Sequence, residues 1–115
     1  MLASARRSGQ YALVAAEDLA DLPETVRLAA RVLDNGEVMW PAEQAASAID
    51  ALADCRRVVL GLDVRDYAPD GSFFEIAWSS FRPSGDDDVA NGHRAALDAM
   101  ESRPIPGNWV LVTWL

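Results

Sequence analysis

Apolar residues repeat at helical spacing in three stretches of the chain. Val26, Ala29, Ala30 and Leu33 line one side of a helix predicted over 23–34, with Asp21 available as a cap, Pro23 suited to a first turn and Gly36 as a left-handed stop. Ala42, Ala45, Ala46, Ile49, Leu52 and Ala53 draw the stripe of a second helix, over 41–54, entered at Pro41. Val89, His93, Ala96, Leu97 and Met100 do the same over 87–102, where Asp86, Asp87 and Asp88 put negative charge at the end of the helix dipole that favours it. Leu13, Val14, Leu19 and Leu22 suggest a further helix from Tyr11, although residues 11–14 fit a short strand equally well.

Elsewhere the period is that of a strand. Val58, Val59, Leu60 and Leu62 form a β-branched-rich apolar run, and residues 72–78 alternate Phe73, Glu75 and Ala77 against Phe74, Ile76 and Trp78. Pro69-Asp70-Gly71 between them has turn chemistry, so the two runs predict an antiparallel hairpin over 57–64 and 72–79. Trp109, Leu111 and Thr113 alternate with Val110, Val112 and Trp114 in a C-terminal strand over 108–114. The order predicts an α+β fold, helices packed on one face of a small, mainly antiparallel β-sheet. Residues 1–10, with Ser4, Ser8 and Gly9, read as a flexible arm, and 11–115 as a single domain.

Charge narrows the classes of partner. Eighteen acidic residues stand against ten basic ones, all arginine, for a net charge of -8. Such a chain repels phosphate backbones and anionic lipid, so nucleic acid and membrane are disfavoured, whereas a basic protein surface is attracted. The lone Cys55 excludes an internal disulfide, and the apolar run 11–16 is too short for a membrane span, so a cytoplasmic setting is expected. Between 63 and 88 lie Asp63, Asp66, Asp70, Glu75, Asp86, Asp87 and Asp88 against Arg65 and Arg82, five of the eight net negative charges. Turn and cap chemistry accounts for part of this density, and a partner-facing patch is the other reading.

Reaction chemistry finds little purchase. The spacing of Asp63, Asp66 and Asp70 lacks the alternating ligands of a calcium loop, no phosphate-cradling glycine motif is present, and no metal or cofactor is expected. His93, the only histidine, sits on the apolar stripe of its helix and reads first as structural; the alternative is a small hydrolase or metal-dependent enzyme pairing it with one of Asp86, Asp87 and Asp88. Cys55 reads as an apolar filler. Trp40 and Trp78 fall at element ends, where an exposed edge can anchor an interface.

Trp40-Pro41, the alanine-rich helix to Leu52, the run Val58-Val59-Leu60-Gly61-Leu62-Asp63-Val64, the turn Asp70-Gly71 and the pair Ala77-Trp78 resemble the immunity protein 40 family of bacterial polymorphic-toxin systems. The likeness covers about two-thirds of the chain, from Met39 onward; Leu62, Arg65 and Ala77 depart from the family's glycine, tyrosine and asparagine. The resemblance implies a cytoplasmic, non-enzymatic protein that binds and neutralises a cognate toxin domain, one delivered by a neighbouring cell. The acidic count then places a basic toxin surface against Asp63, Asp66, Tyr67, Asp70, Trp78, Asp86, Asp87 and Asp88. A housekeeping interaction module is the remaining alternative.

Overall fold

The computed structural model describes residues 19–115; the expected arm at 1–10 and residues 11–18 of the helix or strand expected from Tyr11 lie outside them, and Leu19, towards the far end of that stripe, stands in a 3-10 turn. A short 3-10 turn, Leu19–Asp21, leads to α1 (Glu24–Ala29), and the two-residue strand β1 (Arg31–Val32) pairs with β2 (Val38–Pro41). A second 3-10 turn, Ala42–Gln44, opens into α2 (Ala45–Asp54). The long hairpin of β3 (Val59–Tyr67) and β4 (Phe73–Ser80), then α3 (Asp88–Ser102) and β5 (Trp109–Trp114), complete the chain. The five strands form one antiparallel sheet in the order β1-β2-β5-β3-β4. The predicted α+β class, its hairpin and its closing strand are therefore present.

The helix predicted over 23–34 is shorter than its pattern. Ala30 is extended (φ -72°, ψ 146°), so Leu33 joins a hairpin instead. Its amide donates to the Glu37 carbonyl at 2.7 Å, and Asn35 caps the turn through its side chain to Glu37. Gly36 takes the expected positive φ, 89°, but in this turn rather than at a helix stop.

Register decides which side chains share a face. Val38, Val112 and Leu62 stand in one row across the sheet, and Trp40, Val110 and Val64 in another; both rows face the helices. Ile49, Leu52, Ala96, Trp78 and Trp114 close the core against them. Trp40 is fully buried and its indole N–H donates to the Val26 carbonyl at 2.8 Å, tying α1 to the sheet. The helix α3 comes so near β3 that a Cβ on Gly92 would lie 2.6 Å from the Val59 carbonyl oxygen. The intervening rows, Met39-Leu111-Asp63-Ala77 and Pro41-Trp109-Arg65-Glu75, face the other way, where none of the described helices packs.

Candidate functional site

The second face, open only in the sense that no described helix covers it, has Met39 and Leu111 buried at its centre and carries a charged and aromatic cluster. Asp63, Arg65 and Tyr67 alternate along β3, Glu75 and Phe73 stand opposite Arg65 and Tyr67 on β4, and Trp109 neighbours Arg65 on β5. Glu37, from the β1–β2 turn, reaches the same place. The Arg65 Nε donates to Glu75 Oε2 at 2.7 Å, its Nη2 to Glu37 Oε1 at 3.4 Å and its Nη1 to the Tyr67 hydroxyl at 3.3 Å. One guanidinium thus spans three partners, with its carbon 4.6 Å from the Phe73 ring centre. Tyr67 and Phe73 stack at 4.9 Å, and Arg31 lies 5.8 Å over Trp109.

Geometry orders these charges by depth. The Arg65 side chain is only 11% exposed, whereas those of Glu37 and Glu75 are 39% and 37% exposed, so the cation lies beneath a surface of carboxylate. Burial acts to lower the Arg65 pKa, but hydrogen bonds to Tyr67 and Glu75 hold it above its ordinary value. Burial pushes the Asp63 carboxyl up, Glu75 and Glu37 push it the same way, and Arg65 opposes them. Three carboxylates thus share one arginine. The backbone beneath is fixed by Asn108, whose amide donates to the Arg65 carbonyl at 3.1 Å, and by Gly107, where a Cβ would lie 2.5 Å from that same oxygen.

The acidic stretch between 63 and 88 does not form one patch. Asp63 and Tyr67 belong to the open face, while Asp66 has the opposite parity, across from Phe74. Asp70 is spent in the hairpin turn, where its carboxylate accepts from the Ser72 amide at 2.9 Å and hydroxyl at 2.6 Å and is held below its ordinary pKa by those bonds. Asp86, Asp87 and Asp88 follow the other end of β4, roughly 25 Å of strand away. None of them caps α3 through its side chain; Asp87 is left-handed (φ 53°), and Asp88 accepts from the Ser84 and Gly85 amides at 2.8 and 3.0 Å, closing its own loop.

The expected exposed tryptophan edges are also corrected. Trp78 is 8% exposed, sits in the core and is covered by the Arg103 guanidinium at 4.0 Å; Trp40 is buried outright. His93 is half-buried, as its stripe implies, but its Nε2 lies 2.7 Å from Asp50 Oδ1 on α2, not against Asp86, Asp87 or Asp88. Cys55 is a half-buried free thiol whose Sγ donates to the Asp21 carbonyl at 3.4 Å. Among the described residues no three His, Cys, Asp or Glu side chains are grouped to hold a metal ion, and no helix is long and apolar enough to cross a membrane.

Glu37, Phe73 and Trp109 lie outside the stretch or the residue types that charge density singles out, and Arg65 and Glu75, though counted in that charge, were not among the residues expected to face a partner. Strand parity is the signal that finds most of them: 63, 65 and 67 share a face with 73 and 75 once the hairpin is drawn in register. Glu37 needed the β1–β2 hairpin, which the helical pattern concealed. No family model matches the chain, and no curated protein or solved structure matches it.

Proposed function

We propose that this protein binds another protein stoichiometrically through the open face of its sheet, and that it does so as an immunity protein neutralising a toxin domain with a basic surface. The observation that carries the reading is the layered cluster: the more exposed Glu37 and Glu75 with Asp63, over an Arg65 side chain only 11% exposed and already shared between them. A lysine or arginine from a partner adds the cation this group lacks, and the flanking Phe73, Tyr67 and Trp109 offer apolar area around it. The toxin itself comes from the resemblance of Trp40-Pro41, Val58–Val64 and Ala77-Trp78 to the immunity protein 40 family. Neutralisation would follow from covering the toxin's working surface, with no reaction on this chain.

The test is co-expression with the C-terminal domain encoded by the gene immediately upstream. Growth protection and a one-to-one complex are expected. Changing Glu37→Gln, Asp63→Asn and Glu75→Gln together should slow association about tenfold at low salt and flatten its salt dependence. A complex whose association rate and salt dependence are unchanged by the triple substitution overturns the proposal.

A further inference from the structure

The strand β4 ends the sheet, and its outer edge has no neighbour among the described strands. The hairpin turn is closed by the Ala68 amide donating to the Ser72 carbonyl at 2.7 Å, and the far end by the Phe81 amide donating to the Leu60 carbonyl at 2.7 Å. Antiparallel pairs alternate between bonded and non-bonded positions. From either end, Phe74 and Ile76 turn their peptide groups toward β3, while Phe73, Glu75 and Ala77 turn theirs outward. The register shift between Leu62 and Asp63 leaves Trp78 as the extra residue and interrupts the regular alternation there. The free edge is therefore the segment 73–77.

This edge is lightly guarded, by the single charge of Glu75 and the irregularity at Trp78. It carries no proline and no lysine, and no described helix covers it. It does carry Phe73, Phe74 and Ile76, half of the six large apolar side chains exposed in the described chain, at 48%, 47% and 41%. A lightly guarded, apolar edge five residues long is a liability in a protein at rest and a template in one that binds.

We infer that the edge of β4 takes up an extended segment of the partner as an added strand, one in which apolar side chains alternate with arginine or lysine. This rests on the reading of the protein as a partner-binding domain and names how the partner is held. An added strand places alternate side chains beside Phe74 and Ile76 on one face, where apolar groups fit, and beside Phe73, Glu75 and Ala77 on the other. Glu75 stands at that second face, and Asp63 lies one strand further in, behind only the methyl group of Ala77. Two strand spacings, roughly 10 Å, separate the added backbone from that of Asp63, within the span of a long basic side chain. A second copy of this chain fits less well: it carries the same charge of -8, and pairing two edges about Glu75 sets glutamate against glutamate.

The experiment uses the full chain and a synthetic octapeptide of alternating arginine and valine, with amide exchange followed by NMR. Binding should slow exchange at Phe73, Glu75 and Ala77 about tenfold or more while Phe74 and Ile76, already bonded to β3, change little. A glutamate–valine peptide and an arginine–valine peptide N-methylated at alternate residues should not bind, and Glu75→Gln should weaken binding several-fold. The inference fails if the first peptide leaves those three amides unprotected at saturation, or if the acidic or methylated peptide protects them equally. It also fails if the free protein already protects them and loses that protection on dilution, which assigns the edge to a second copy. A toxin partner that binds with salt-sensitive kinetics while these amides stay unprotected would end strand addition and leave the proposed function standing.

Discussion

The two faces of this sheet are written by one alternation and serve opposite ends. On the covered face Val38, Trp40, Leu62, Val64, Val110 and Val112 meet three helices, and no ionisable residue is buried among them. On the open face the same strands present Asp63, Arg65, Glu75 and Trp109, with Met39 and Leu111 buried at its centre. Apolar burial is concentrated on the first face and the cluster of shared charge on the second. A protein arranged this way can change its recognition surface without disturbing its core.

The largest expected effect tests the covered face. Trp40→Ala empties a fully buried site and breaks the bond to Val26, so it should cost about 4 kcal/mol in urea unfolding. A loss no greater than that of a substitution on the open face would break the comparison. Arg65→Met comes next. It leaves Glu37, Glu75 and Asp63 facing one another, and at neutral pH should cost about 1–2 kcal/mol, discounted for the exposure of the two glutamates. The cost should shrink in high salt, which screens the partly exposed pairs; a salt-independent loss would mean that Arg65 acts by packing alone.

The smallest effect has the most diagnostic sign. Because folding raises the Asp63 pKa, the folded chain holds this proton over a window in which the unfolded chain has lost it. Stability from this group is therefore lost as pH rises from about 3.9 through the raised value. Asp63→Asn should raise the melting midpoint at pH 7 and give no gain at pH 3, as followed by circular dichroism. A lower midpoint at pH 7 would show that the carboxylate is already compensated within the chain.

The covered face was largely legible in the sequence, because the helical stripe through Ala45, Ile49 and Leu52 and the alternation around Val110 and Val112 report burial directly, although Ala46 of that stripe is exposed and Ala48, outside it, is buried. The β1–β2 hairpin was not. Val26, Ala29, Ala30 and Leu33 keep helical spacing across the point where the chain becomes extended, and that spacing outweighed the Asn35-Gly36 turn signal between Val32 and Val38. The site was half legible. Counting acids along the chain joined Asp63 to Asp86, Asp87 and Asp88, which strand geometry separates, and passed over Glu37, which pairing brings close. Charge density in sequence measures proximity only along a chain that does not fold back; here the hairpin sends its two ends apart.

The position of β5 has a consequence for assembly. The last strand in sequence occupies the middle of the sheet, between β2 and β3. Two hairpins, β1–β2 and β3–β4, are local and can form early, but they share no neighbour until β5 has been made and inserted between them. Until that moment the inner edges of both hairpins stand open, and the sheet closes only when six residues pair with Val38–Pro41 on one side and with much of Val59–Tyr67 on the other. A chain stopped before Trp109 would hold two hairpins with no strand to join them.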